Sequence, residues 1–171
     1  KASILATIGP ADRAGVVLSA HTDVVPVAGQ DWSSPPFTAT RRDGRILGRG
    51  TSDMKGYIAS ILAHVPYFKA AASETPVHIA LSYDEEIGCM GVRSLIDLLA
   101  EAPVKPRFCI VGEPTGMQVA TGHKGKVALR ATCTGREGHS ALAPMALNAL
   151  HLAADFIGAV RRLQAEVAAT G

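Results

Sequence analysis

The sequence predicts an α/β layer fold for most of the chain, on three observations. Short apolar runs bounded by Gly and Pro alternate with stretches whose apolar residues recur at helical spacing. His-containing or acidic clusters follow several of those runs, at the strand ends where α/β folds build their sites. The alternation stops near residues 116–122, which divides the chain into a larger piece, 1–118, and a smaller one, 119–171.

Taken in order, Ser3–Ile8 and Gly15–Ala20 read as buried strands, being short, apolar and bounded by Gly and Pro. Phe37–Thr40 and Arg45–Leu47 flank Asp43-Gly44, a two-residue hairpin signal of type I′. Met54, Tyr57, Ile58, Ile61, Leu62 and Val65 form one helical stripe, with Pro66 near its end. Val77–Ser82 is a strand. Gly91–Ala100 is a helix with Val92, Leu95, Ile96 and Leu99 on one face, and Arg107–Val111 is a further strand whose Cys109 reads as a core residue. Beyond the boundary, Gly122–Gly135 alternates Val127, Leu129, Ala131 and Cys133 and is expected to be a long strand region. Met145 to about Val167 is rich in Ala and Leu and predicts one long helix. One strand region and one helix cannot close a core, so the smaller piece needs a partner or further residues.

Composition excludes several classes. The chain has 171 residues, 47% hydrophobic, with 17 basic against 15 acidic side chains and a net charge of +2. No nucleic-acid footprint is expected, and the pairs Arg41-Arg42 and Arg161-Arg162 read as solvated faces. Cys89, Cys109 and Cys133 are odd in number and widely spaced, which argues against a disulfide framework and against a thiolate zinc site, and fits a cytoplasmic protein. No apolar stretch has the length of a membrane span, and no leader-type segment opens the chain. The first residue is Lys, so an incomplete chain is expected.

Four clusters carry chemistry. His21-Thr22-Asp23 follows a strand, and its His is either a turn residue or a metal ligand with Asp23 orienting the ring. Asp53 lies in Gly50-Thr51-Ser52-Asp53-Met54-Lys55-Gly56 at a helix start, as a cap or as a carboxylate bridging two cations. Asp84-Glu85-Glu86 sets three carboxylates side by side, which a solvated loop tolerates and a divalent cation makes favourable. Adjacent acids point to different sides, so one can ligate while the next serves as a general base on water. Glu113, in Gly112-Glu113-Pro114-Thr115, is a turn acid or a further ligand. Together they offer one His and several carboxylates, a mixed nitrogen and oxygen donor set suited to Zn, Co or Mn. Neither a phosphate-binding lysine loop nor a GxGxxG turn follows any strand, so no nucleotide site competes with this reading.

These four motifs, in this order, resemble the M20 metallopeptidases, the family that includes acetylornithine deacetylase, succinyl-diaminopimelate desuccinylase, aminoacylase and carboxypeptidase G. The strings Leu81–Cys89 and Thr121–Lys126 look most like the acetylornithine deacetylase branch. The resemblance implies an α/β, mixed-sheet, zinc-peptidase-like catalytic domain, followed by the start of a smaller α+β dimerisation or lid domain. It implies two Zn²⁺ or Co²⁺ ions per intact active site. His21 and Glu113 would hold one, Asp53 would bridge, and Glu86 would ligate the second. Glu85 would be the general base and Asp23 the partner of His21, and the Asp53–Met54 bond would be cis. His139, in Gly135-Arg136-Glu137-Gly138-His139-Ser140, would reach the active site of a second subunit in a homodimer and stabilise an oxyanion; on its own it reads as a turn residue. The family's last His ligand comes from a C-terminal portion with no counterpart after His151, so the second metal set is expected to be incomplete. The implied reaction is removal of the acetyl group from N-acetyl-L-ornithine, with related N-acyl amino acids as alternative substrates, or a fragment that binds one metal without catalysis.

Overall fold

The structure is a computed structural model that describes residues 1–71 and 74–170. The chain falls into two compact units, Lys1–Thr121 and Gly122–Gly171.

The first unit is organised by a four-stranded sheet. Its strands are β1 (Ile4–Ile8), β2 (Val16–His21), β5 (Val77–Ser82) and β6 (Phe108–Val111), ordered β1-β5-β2-β6. β2 runs parallel to both β5 and β6, and β1 closes one edge antiparallel to β5, so the sheet is mixed. Parallel neighbours need long crossovers, and two helices supply them: α1 (Lys55–Ala71) and α2 (Val92–Glu101). Leu95 of α2 packs with Val17 of β2 and Ala80 of β5, with Leu5 and Leu99 against them. Burying Leu95 contributes about 2 kcal/mol by the area removed from water. Ala20 and Ile79, of the other strand parity, are buried too, so both faces of the central pair are covered. α1 lies along β2 and buries Ile61.

The two-residue turn Asp43-Gly44 has positive φ at both positions, 51° and 72°, as a type I′ hairpin requires. It joins β3 (Thr40–Arg42) to β4 (Arg45–Leu47). The first strand starts later than its sequence suggests. Phe37 and Thr38 stand outside it, because the Thr38 N–H turns back to the Pro35 carbonyl at 3.2 Å.

Four further expectations need correction. Pro66 lies inside α1 and does not end it. Leu62, whose carbonyl loses its helical partner to the proline, is exposed, so water can take that bond. Cys109 is exposed and not a core residue, because β6 is the outermost strand and all four of its residues are exposed.

In the second unit, Gly122–Gly135 forms no strand; Val127 and Leu129 are 81% and 90% exposed. A ladder needs a neighbour, and the nearest pairing among the described residues is a single bridge between Arg136 and Leu147. A short 3₁₀ segment, Ser140–Met145, precedes α3 (Ala149–Thr170). The long helix therefore begins at Ala149, not Met145, and Asn148 caps it by accepting the Leu150 N–H at 2.9 Å.

Candidate metal centre

Parallel pairing gathers the site. In the β2–β5 register His21 stands opposite Ser82, and the Thr22 N–H donates to the Ser82 carbonyl at 2.9 Å, extending the ladder one residue. The two chains leave the sheet side by side, one into Asp23 and the other into Asp84-Glu85-Glu86. On the far side of β2, β6 runs out at Val111 and delivers Glu113. The segment before α1 supplies Asp53.

His21 is the centre of the arrangement and is 2% exposed. Its Nδ1 donates to the Asp23 backbone carbonyl at 3.0 Å, which sets the tautomer and turns Nε2 toward the acids. Nε2 lies 3.0 Å from Asp53 Oδ1 and 3.8 Å from both Glu85 Oε2 and Glu113 Oε1. Below the ring, the His21 backbone N–H points at the Met54 sulfur, 3.2 Å away, and Met54 is fully buried. The Asp53–Met54 peptide bond is cis.

Gly112 sets the path of Glu113. A Cβ there would collide with the Tyr57 ring, so only glycine lets β6 pass under α1 at this point. Cys89, four residues after Glu85, donates its thiol to Glu85 Oε1 at 3.5 Å.

The electrostatics follow from crowding acids around one ring. Burial alone would disfavour a charged His21. The Asp53 hydrogen bond and the charges of Glu85, Glu113 and Asp23 outweigh it, so the ring titrates above its ordinary value. Burial, then the charge of Asp53, pushes the Glu113 carboxyl up against the pull of His21, and Glu85 and Glu86 add to the rise. Burial also opposes the charge on Asp23, but the amides of Glu85 and Glu86 hold it below the usual carboxylate range.

The donor set fits a divalent cation. His21, Asp53 and Glu113 bring one ligand atom each within 4.8 Å of one another, and His21, Glu85 and Glu86 do the same. Mutual repulsion among these acids is the condition a cation relieves. Of the residues singled out from the sequence, His21, Asp23, Asp53, Glu85, Glu86 and Glu113 come together. His139 belongs to the second unit, where its Nδ1 accepts the Ala141 N–H at 3.1 Å. Met54 and Cys89 were missed as parts of the site. Their sequence signals were adjacency to Asp53 and an i,i+4 spacing from Glu85.

Comparison with known proteins places the chain in a family. The family model described as Peptidase family M20/M25/M40 matches residues 17–170. The chain is 34% identical over 164 residues to an acetylornithine deacetylase of Vibrio campbellii and 35% identical to one of Shigella sonnei. Each alignment covers 96% of this chain and 42% of the relative, so the chain spans less than half the length of these proteins. Among solved structures, human carnosine dipeptidase 1 shares the fold with a TM-score of 0.54 at 24% identity, over 64% of this chain and 24% of that one. A mixed sheet whose strand ends gather acids around one buried His, and a family match over residues 17–170, lead to one assignment: the chain belongs to peptidase family M20/M25/M40.

Proposed function

We propose that this chain carries the metal-binding half of an amidohydrolase that removes the acetyl group from N-acetyl-L-ornithine. The observation that supports it most is the convergence of Asp53, Glu85 and Glu113 on His21 Nε2, within 3.0–3.8 Å. The relatives named acetylornithine deacetylase favour this substrate over succinylated or other N-acyl amino acids. His21, Asp53 and Glu113 would hold one Zn²⁺ or Co²⁺, and Asp53 with Glu86 part of a second. Bound cations supply Lewis-acid polarisation of the amide carbonyl and acidify a water.

The chain's own residues then do the following. His21 Nε2 gives up its proton when the cation binds, while Nδ1 stays tied to the Asp23 carbonyl. A Glu85 carboxylate oxygen takes the proton of the attacking water and returns it to the departing amine nitrogen. His139 of a second copy would donate from Nε2 to the developing oxyanion, since its Nδ1 is engaged as an acceptor. We place the protein in the cytoplasm as a homodimer: all three cysteines are free, and most of the large apolar residues of α3 are exposed. Among the described residues no helix is long and apolar enough to cross a membrane.

Two measurements test the reading. Zinc or cobalt titration of the 171-residue chain should find one tight ion, lost in His21→Ala. In a full-length protein containing this chain, Glu85→Gln should abolish turnover of N-acetyl-L-ornithine and leave metal binding intact. Normal turnover by that variant overturns the assignment of the base, and preference for a succinyl substrate in a panel overturns the assignment of the acyl group.

A further inference from the structure

We propose that Asp23 is the positioning residue of the Glu85–Glu86 turn, and that its side chain holds this turn more than it holds His21. The His21 ring is nearer the backbone carbonyl of Asp23, at 3.0 Å, than the carboxylate, at 3.4 Å. The carboxylate is spent elsewhere. Oδ1 accepts the backbone N–H of Glu85 and Oδ2 accepts that of Glu86, both at 3.1 Å.

Local backbone geometry explains why two consecutive amides converge on one acid. Asp84 adopts a left-handed conformation, φ 52°, which turns the chain so that the next two N–H groups face the same point. Successive N–H groups arranged in this way form a concave anion-binding nest. The carbonyl of Glu85 is meanwhile taken by the N–H groups of Gly88 and Cys89, both at 2.9 Å, which closes the turn on its other side. Among the described residues neither amide has another acceptor. Without the Asp23 carboxylate both would be left to solvent, and among the described residues the link left between this turn and β2 would be the Glu85 side chain, 3.8 Å from His21 Nε2.

One residue therefore serves two groups through two different parts. Its main chain fixes the ring of His21, and its side chain fixes the backbone that carries Glu85 and Glu86. Charge-assisted bonds to backbone amides are stronger than neutral ones, and a base is useful only when held to within a fraction of an ångström. The significance for turnover rests on the reading of Glu85 as the base; the tether itself does not.

The test is amide hydrogen exchange on the metal-free 171-residue chain, followed by NMR. Asp23→Ala removes both acceptors, and both amides should exchange at least about tenfold faster. Asp23→Asn offers one oxygen and one NH₂ group. It should keep protection at one of the two amides and lose it at the other. In both variants the His21 Nδ1–H should stay bonded to the backbone carbonyl of residue 23, and Val17 and Ala80 should stay protected. Unchanged exchange at Glu85 and Glu86 in the Asn variant overturns the proposal, and that near-isosteric variant decides if the Ala variant does not fold. A full-length Asp23→Asn enzyme should lose kcat with little change in KM; the reverse split overturns the significance of the tether for turnover. None of the exchange data depends on turnover. Failure of Glu85→Gln to abolish activity would sink the catalytic reading and leave the tether standing.

Discussion

The two units of this chain differ in whether their elements have neighbours. In residues 1–121, each strand of the main sheet has a partner, and a small core of Val17, Ala80 and Leu95 anchors the centre. In residues 122–171, α3 has no buried residue, and the stretch with the clearest strand alternation forms no strand. Both pieces carry similar sequence patterns. What separates them is the supply of complementary surface, so periodicity specifies which face wants burial but not whether anything is there to cover it.

The sharpest way to probe that contrast is to truncate one apolar side chain in each unit. Leu95→Ala should destabilise the first unit by about 2–5 kcal/mol in urea unfolding, because it opens a cavity beneath β2 and β5. A cost below about 1 kcal/mol would show that α2 is not anchored there. Next in size is Asp53→Ala, which removes the acid nearest His21 Nε2. Zinc affinity should fall by roughly 100-fold or more, read by competition titration.

The pH dependence of the site is smaller and has two opposite signs. His21 titrates above its unfolded value of 6.5. Its proton therefore stabilises the metal-free fold fully below about 6.5, and that contribution is lost as pH rises through the folded value. A cation takes the place of that proton. Zinc affinity should instead rise with pH, by about tenfold per unit below the folded pKa, and level off above it. Titrations at a series of pH values check the slope; a flat profile would remove His21 from the ligand set. The smallest effect is expected in the second unit. Leu163 is 58% exposed, and Leu163→Ala should change stability by no more than about 0.5 kcal/mol. A loss comparable to that of Leu95→Ala would mean that this face of α3 is covered in solution.

Much of the site was readable because a strand end is a local event. Apolar runs ending in His21, Ser82 and Val111 announce where β2, β5 and β6 stop, and the acids that follow are visible in one line of sequence. The register that sets them side by side is not local, but parallel pairing with crossover helices leaves few alternatives. Other features depend on contacts that spacing does not encode. The burial of Met54 beneath His21, the collision that keeps residue 112 a glycine and the grip of Asp23 on two amides all join positions from different elements. Pro66 misled for a related reason: the cost of a proline inside a helix depends in part on whether the freed carbonyl, here that of the exposed Leu62, can bond water. The strand expected over Gly122–Gly135 had the right alternation and lacked only a second strand.

The order in which the sheet is assembled has a consequence for folding. His21 and Glu113 lie more than 90 positions apart, and they meet only through the pairing of β2 with β6. Contacts of that sequence separation close slowly, on a scale of roughly milliseconds to seconds in sheet proteins. Until β6 pairs with β2, Glu113 is not held beside His21. If His21, Asp53 and Glu113 hold a cation together, a zinc-sensitive signal in a refolding experiment should appear only once β6 has paired with β2, and would time the arrival of that strand.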